Sequence, residues 1–365
     1  MRDAPDKDRQ NPGQDPRPAP AELPYHGPMR VARHAVWTLA FAVAGPAVGQ
    51  ETYELTPTDD WEMVESADPA TPEGQLAAAR KALAAGENSR AGRLARTWIE
   101  QHPRHALLPE AYLLSGDALR ARGEYYTALF DYEFITRAFP ASEAFITAVE
   151  RELEIGVRYA RGEKRTWLGM RILDAGEVAE ELLIRVQERM PASRLAEKAA
   201  IELADYYFRK RQMRLAVEMY SIFLENHPDS DQVSKARRRL IYSELATFKG
   251  PSFDASGLHE ARARLLEFIA LEPRSAERIG ADALLTRIDE SDAQKLLVTA
   301  RWYLTTGDPI AAELSVRRLV TLYPRTVATV EALRLMEHIL PRLPAIVLAE
   351  APDYAELRRA ILGGP

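Results

Sequence analysis

Six prolines recur along the chain at intervals of 37 to 51 residues. They are separated by 37, 51, 37, 45 and 51 residues and stand at Pro103, Pro140, Pro191, Pro228, Pro273 and Pro324. Proline lacks an amide hydrogen and clashes with the preceding turn, so each one marks the end of a helix. An alanine stands twelve residues before every proline, at Ala91, Ala128, Ala179, Ala216, Ala261 and Ala312. A bulky apolar residue stands five before each, at Trp98, Ile135, Val186, Phe223, Phe268 and Leu319.

This register predicts helical hairpins. The alanine lets the second helix of a hairpin approach the first closely, and the large residue two turns later fills the groove towards the next hairpin. A second small residue stands 24 before the proline at Ala79, Gly116, Ala204 and Ala300. Glycines that can end a helix lie between the paired helices at Gly86, Gly123 and Gly307. The alternative is an alanine-rich bundle with an accidental register, but six alanines at six positions favour the repeat.

The repeat predicts an all-α fold. The shorter proline spacing is close to the tetratricopeptide period of about 34 residues. Apolar residues recur at intervals of three and four, and no alternating strand pattern follows residue 70. We therefore predict a tetratricopeptide-repeat superhelix over residues 73–340, with about six helical hairpins and a C-terminal capping helix. The predicted hairpins span residues 73–102, 106–139, 142–190, 194–227, 231–272 and 276–323.

Three parts of the repeat region depart from the simple hairpin. Longer joints are expected at residues 161–174 in the third hairpin and 249–257 in the fifth, and the last hairpin has a long first arm. A capping helix is predicted at about 326–339. Pro341 and Pro344 end it, which leaves a C-terminal tail, 341–365, with a short helix at 353–362.

The first 72 residues differ in composition from the rest. Residues 1–28 are rich in proline and charge and poor in apolar residues, which predicts a disordered leader. Residues 29–49 combine a basic start, a short apolar run and a small residue at Ala47, the pattern of a cleaved secretory signal peptide. The alternative is a buried helix that is preceded by basic residues. We expect translation to begin at Met29, which leaves the leader untranslated, and residues 50–72 to form a flexible linker.

Composition disfavours several classes of function. The sequence has no cysteine, hence no thiolate nucleophile or cysteine metal ligand. A net charge of -6 with both signs mixed argues against a nucleic-acid binder. The only close histidine pair, His102 and His105, lacks further ligands at metal spacing, and neither a phosphate loop nor a nucleophile elbow occurs. We therefore expect no catalytic activity, no cofactor and no metal site.

Two groups of side chains are candidates for binding another protein. Aromatic residues crowd the second and fourth hairpins, and Tyr125, Tyr126 and Tyr206 fall outside the core register. Each of these three is either core or the lining of a peptide groove. A basic patch on the last hairpin is either a solvated face or a docking surface for an acidic partner. The patch comprises Arg301, Arg317, Arg318 and Arg325.

The C-terminal half carries motifs that resemble a known family. They read LHEARARLLEF at 258–268, EPRS at 272–275, ARWY at 300–303, LYPRT at 322–326 and EALRLME at 331–337. From about residue 73 to 340, the chain resembles the BamD-like outer-membrane protein assembly factors, which are periplasmic tetratricopeptide-repeat proteins. The order of hairpins and the long arm of the last one are also similar to that family.

The resemblance implies a periplasmic scaffold in outer-membrane β-barrel protein assembly, peripheral to the outer membrane. The N-terminal repeats would bind unfolded outer-membrane proteins, and the C-terminal repeats a BamA-like assembly subunit. The implied groove residues are Tyr112, Arg122, Tyr125, Tyr126 and Tyr206, and the implied docking residues are Arg301, Arg317, Arg318, Arg325 and Arg334. The family is anchored by a lipid on a cysteine, which this sequence lacks, so we expect contact with the membrane only indirectly, through a partner. A generic cell-envelope scaffold, for division or envelope maintenance, is the alternative.

Overall fold

The computed structural model describes residues 52–55, 61–64, 68–167 and 170–362 of the chain. They fall into two units, Met1–Val64 and Glu65–Pro365. In the first unit, β1 (Thr52–Leu55) and β2 (Trp61–Val64) form an antiparallel hairpin with Thr52 opposite Val64. The predicted leader and signal peptide, and much of the predicted linker, lie outside the described residues. The strand pair within the linker segment was not predicted.

The second unit contains six helical hairpins between residues 72 and 322, which confirms the predicted tetratricopeptide-repeat superhelix. The hairpins are α1 (Pro72–Ala84) with α2 (Asn88–Gln101), α3 (Leu108–Ala121) with α4 (Tyr125–Ala138), α5 (Ala144–Ala160) with α6 (Gly176–Arg189), α7 (Arg194–Arg209) with α8 (Met213–Asn226), α9 (Val233–Thr247) with α10 (Ser256–Leu271) and, after the short α11 (Pro273–Arg278), α12 (Ala281–Thr306) with α13 (Pro309–Leu322). Each helix packs on the next in sequence, and the first helices of successive hairpins also touch from α1 to α9. This stacking gives a solenoid whose core runs along its length.

That core contains the six alanines and six bulky residues that precede the prolines, which we call the alanine register. All six alanines and all six bulky residues of the register are at most 1% exposed. In the second hairpin, a Cβ on Gly116 would lie 2.6 Å from the ring of Tyr132, so only glycine lets α3 and α4 approach this closely. The predicted turn glycines Gly86, Gly123 and Gly307 have φ of +76°, +78° and +86°, the left-handed conformation that glycine adopts without steric cost.

A buried polar network recurs in the second and fourth hairpins. The Tyr132 hydroxyl donates to Asp117 at 2.8 Å, and the Tyr220 hydroxyl donates to Asp205 at 2.6 Å. An arginine from the following hairpin, Arg151 or Arg239, completes each network by an ion pair with the same aspartate. Because buried hydroxyl and carboxylate groups need partners, these networks link one hairpin to the next at a defined register.

The third hairpin contains strands, and the expectation of no strands was wrong there. β3 (Arg165–Trp167) and β4 (Met170–Leu173) pair antiparallel in the joint between α5 and α6. Strands of three and four residues are too short to show an alternating pattern in the sequence. They lie within residues 161–174, where a longer joint was expected.

The C-terminal helices cover the end of the solenoid. α14 (Val327–Ile339) packs on α12 and α13, and a 3-10 turn (Leu340–Arg342), α15 (Ala345–Glu350) and α16 (Tyr354–Leu362) follow. The Glu290 carboxylate of α12 accepts hydrogen bonds from the backbone N–H groups of Val327 and Ala328 at 2.8 and 3.1 Å. Tyr354 of α16 is buried in the apolar cluster that α12, α13 and α14 form. A terminal cap of this kind shields the last apolar surface of a repeat array.

Candidate protein-binding surfaces

Helix α4 presents a row of aromatic side chains to solvent. Tyr126, Phe130 and Phe134 are 37%, 60% and 39% exposed. They follow one another every four residues, and this spacing keeps the three rings on one face of the helix. Ala128 and Ile135, on the opposite side, are fully buried in the core. We call Tyr126, Phe130 and Phe134 the aromatic row.

Neighbouring side chains hold the aromatic row in place. The ring centroids of Phe134 and Tyr112 are 4.3 Å apart, and those of Tyr126 and Phe130 are 5.5 Å apart in an edge-on contact. The guanidinium carbon of Arg165, on β3, lies 3.5 Å from the centroid of the Tyr126 ring, a cation–π contact. Rings that are already held by such contacts lose little conformational entropy when a partner binds.

A cavity of 120 Å³ lies beside the aromatic row, between α4, α5 and α6. Its lining includes two rings of the row, the buried Glu152 and the ion pair between Glu133 and Arg185, whose charged atoms are 2.7 Å apart. Glu152 forms an ion pair with Arg189, and burial raises the pKa of the Glu152 carboxyl group above its ordinary value. The cavity is smaller than the roughly 300 Å³ of a small-molecule site, so it suits a single side chain of a bound polypeptide.

The β3–β4 hairpin adds apolar side chains to this region. Strand β3 contacts α4, and Met170, Ile172 and Leu173 of β4 are exposed. Large apolar side chains that gather on a surface mark sites where proteins bind. The aromatic row and β4 are therefore the candidate substrate surface.

The structure places three of the predicted groove residues on or near this surface. Tyr126 belongs to the aromatic row, and the partly buried ring of Tyr112 packs against the ring of Phe134. Tyr125 is half-buried, and the guanidinium carbon of Arg158 lies 5.2 Å from its ring centroid. Only Tyr126 among these three presents its ring to solvent.

The other two predicted groove residues lie elsewhere. Arg122, in the turn before α4, forms an ion pair with Glu124 at 2.7 Å. Tyr206, on α7, is 6% exposed, and its ring centroid lies 5.5 Å from that of Tyr207. Of the two interpretations of Tyr206, burial favours the core residue. The described contacts thus restrict the candidate groove to the second and third hairpins.

Phe130 and Phe134 are among the aromatic residues noted in the second hairpin, but they were not predicted to line the groove. They stand ten and six residues before Pro140, and the corresponding positions of the third hairpin hold Glu181 and Arg185. A phenylalanine at a position where another hairpin has a charged residue is expected to face solvent. That comparison between repeats is the signal that could have found them.

Two of the predicted docking arginines are engaged within the protein. Arg317 donates two hydrogen bonds to Glu313, at 2.9 and 3.1 Å, and Glu313 also accepts one from the Tyr354 hydroxyl at 2.5 Å. The Glu313 carboxylate therefore connects α13 with α16. Arg301 forms an ion pair with Glu331 at 2.7 Å.

The remaining three docking arginines are exposed. Within residues 68–167 and 170–362, Arg318, Arg325 and Arg334 form no ion pair. Trp302 on α12 and Leu314 on α13 are also exposed. Exposed positive charges and apolar side chains at this end of the solenoid suit a partner that carries acidic and apolar groups.

Metal ligation and membrane insertion have no matching feature in the described part of the chain. No group of three histidine, aspartate or glutamate side chains there could hold a metal ion. None of its helices is both long and apolar enough to cross a lipid bilayer.

Comparison with known proteins relates the C-terminal half to one family. Residues 173–352 match the family model YfiO, described as an outer membrane lipoprotein. The chain is 23% identical over 186 residues to the outer membrane protein assembly factor BamD of Neisseria meningitidis serogroup B, covering 48% of this chain and 68% of that protein.

Solved repeat structures are also similar. The C-terminal part of a TPR repeat-containing protein from Cytophaga hutchinsonii aligns with a TM-score of 0.36 and 13% identity, over 72% of this chain and 87% of that one. The APC/C hetero-tetramer Cut9–Hcn1 aligns with a TM-score of 0.29 and 15% identity, over 76% of this chain and 44% of that one.

Proposed function

We propose that this BamD-like tetratricopeptide-repeat protein is a periplasmic scaffold in the assembly of outer-membrane β-barrel proteins. It binds unfolded substrate segments at one end of the solenoid and a membrane partner at the other. The observation that carries the proposal is the aromatic row, three exposed rings on one helix face beside an exposed apolar strand. The name of its relative, an outer membrane protein assembly factor, supports the choice of substrate. The activity is binding without catalysis.

The geometry of the aromatic row suits an extended polypeptide. Its rings rise about 6 Å from one to the next along α4, four residues at 1.5 Å each. Every second side chain of an extended strand rises about 6.6 Å. The strands of outer-membrane barrels alternate apolar and polar residues, so their apolar side chains have nearly the spacing of the rings. An unfolded barrel segment can therefore place successive apolar side chains against successive rings.

The C-terminal end of the solenoid, α13 and the capping helix α14, supplies the second half of the proposal. Arg318, Arg325 and Arg334 are exposed cations that can pair with acidic groups of a BamA-like assembly subunit. The protein is then held peripherally at the outer membrane through this partner. Release of the protein from envelope membranes by alkaline carbonate, which strips peripheral proteins and leaves lipid-anchored ones, is the expected behaviour.

Removing two rings of the aromatic row should weaken substrate binding. We expect the double variant Tyr126→Ala/Phe130→Ala to bind a urea-unfolded outer-membrane barrel protein about tenfold more weakly after dilution, because large aromatic side chains contribute most to such contacts. Each variant is immobilised on a surface, and the affinity of the diluted barrel protein for it is measured, with the wild-type chain as reference. Leu271→Ala, which removes a 54% exposed apolar side chain from the fifth hairpin, is the control and should bind like wild type. Equal binding by the double variant would remove the aromatic row from the proposed site.

Depletion separates the proposal from its alternative, a generic cell-envelope scaffold. If the protein serves barrel assembly, its loss lowers the outer-membrane barrel proteins as a group. Unchanged barrel levels with a defect in division or envelope integrity would support the generic scaffold. Capture of a BamA-like subunit from solubilised envelope membranes, by the wild-type chain, tests the partner directly.

A further inference from the structure

An arginine stands where three other hairpins have the glycine of their turn. Arg211, between α7 and α8, lies 17 residues before Pro228. The turn glycines lie 17 residues before their own prolines, at Gly86, Gly123 and Gly307. The φ angle of Arg211 is +57°, in the same left-handed region as the φ angles of the three glycines. The fourth hairpin therefore has the backbone of a glycine turn but carries a long cationic side chain there.

This backbone conformation is unfavourable for arginine. In the left-handed region the Cβ atom of an L-residue lies too close to the following carbonyl oxygen, so glycine is the common residue there. Residues that keep an unfavourable conformation cluster at functional sites. Arg211 is exposed and forms no ion pair in the described part of the chain. Its guanidinium is therefore available to a group outside the protein.

The turn that contains Arg211 is strongly basic. Residues 209–214, RKRQMR, include four basic residues and no acidic one. Lys210 lies 3.7 Å from Asp174, whose side chain is 79% exposed, and solvent screens such a pair. The opposite end of the same hairpin, residues 225–231, includes three acidic residues and neither lysine nor arginine. The fourth hairpin is thus positive at its turn and negative at its other end.

Exposed cations continue onto the turns of the neighbouring hairpins. Arg209 donates a hydrogen bond to the C=O of Ala160, at the end of α5, at 3.1 Å, which brings the third and fourth turns together. The fourth and fifth turns meet at a cavity that both of them line. Four exposed cations on these turns form no ion pair within the described ranges, and we call them the basic edge: Lys164, Arg211, Arg214 and Lys249.

Acidic residues are the minority on this edge. The three turn segments, 161–164, 209–214 and 248–254, include seven basic residues and two acidic ones. Of the two, Glu163 pairs with Arg158 at 3.5 Å, and Asp254 accepts hydrogen bonds from the backbone N–H and the hydroxyl of Ser256. The edge therefore suits a partner that presents several negative charges.

We propose that the basic edge binds the anionic phospholipid headgroups of a membrane surface. Each lysine or arginine near such a surface favours binding, and the contributions of several accumulate. A membrane presents phosphate groups along the whole edge, whereas an acidic peptide would have to match the spacing of three separate turns. Leu215, next to Arg214, is 39% exposed and adds an apolar contact with the headgroup region. This contact adds to the protein partner proposed above and does not depend on it.

Flotation of the full chain with lipid vesicles tests the proposal. We expect binding to vesicles of phosphatidylglycerol and phosphatidylcholine in equal parts, and much weaker binding to phosphatidylcholine alone. Added salt should weaken binding to the anionic vesicles, because ions screen exposed charges. Equal binding to both kinds of vesicle, or binding that salt leaves unchanged, would overturn the proposal. Tighter binding to soluble poly-glutamate than to the vesicles would also overturn it and would indicate an acidic polypeptide.

The variant Arg211→Gly separates the loss of charge from a loss of folding. Glycine adopts the left-handed conformation without steric cost, so the melting temperature should not fall below that of the wild type. Removal of one cation should weaken binding to the anionic vesicles about fivefold. Arg104→Gly makes the same change at an exposed arginine in the loop between α2 and α3, at the opposite edge of the solenoid. It should bind the vesicles like the wild type.

Equal losses in the two variants would show that only net charge matters and would remove the basic edge from the proposal. The aromatic row lies on α4, away from Arg211, so unfolded barrel proteins should bind Arg211→Gly and the wild type equally. The vesicle result and the result for Tyr126→Ala/Phe130→Ala therefore stand or fall separately.

Discussion

Replacing Arg189 with methionine is expected to lower the free energy of unfolding by about 3–5 kcal/mol at neutral pH, because it leaves a buried carboxylate without a counter-ion. Arg189 forms an ion pair with Glu152, which is 1% exposed between α5 and α6. Urea denaturation followed by circular dichroism measures the change. The double variant Arg189→Met/Glu152→Met replaces both charges by apolar groups and should recover most of the loss.

The loss of unfolding free energy in Arg189→Met should depend on pH in a defined direction. Burial raises the pKa of Glu152 above its ordinary value of 4.5, Glu133 raises it further, and Arg189 and Arg185 oppose the rise. Without Arg189 the pKa of Glu152 in the folded state moves higher still, so the folded state binds this proton more tightly than the unfolded state does. Stability is then lost as pH rises from 4.5 through the folded-state pKa. The deficit of Arg189→Met relative to wild type should therefore be smaller at about pH 4 than at about pH 8.

An exposed ion pair provides the control for this prediction. Arg90 and Glu87 pair at 2.8 Å with side chains 63% and 48% exposed. Arg90→Met should change the free energy of unfolding by less than about 1 kcal/mol, since solvent screens such pairs. A deficit for Arg189→Met that matches this control, or that grows at acid pH, would show that Glu152 is not held as a buried charge.

Ala261→Leu should destabilise the fold by about 1–3 kcal/mol, because it inserts a large side chain where two helices touch. Ala261 is fully buried on α10 and belongs to the alanine register. Ala263 lies two residues further along the same helix and is exposed. Ala263→Leu should therefore stay within about 0.5 kcal/mol of wild type. Thermal denaturation of the two variants makes the comparison, and equal melting temperatures would mean that the register does not mark the helix contacts.

The candidate substrate surface could be predicted only in part. Tyr126 was identified because it falls outside the core register, and the structure exposes its ring. Tyr206 falls outside the register as well and is nevertheless buried, because it packs against the start of α6, where a Cβ on Gly176 would lie 2.6 Å from its hydroxyl. Position within one repeat does not decide exposure where a neighbouring hairpin covers the surface. Arg317 shows the same limit, since the tail helix α16 brings Tyr354 to its partner Glu313.

The helices and their order followed from the sequence by itself. Proline ends a helix, alanine permits close approach and glycine turns the chain, and these are local properties that act wherever the residue occurs. The contact of β3 with α4 and the cavity beside the aromatic row were decided by tertiary structure alone. They arise from contacts between residues far apart in the chain, which leave no periodic pattern in the sequence. A repeating local code can therefore specify a solenoid, whereas the surfaces that bind partners depend on how its irregular joints pack.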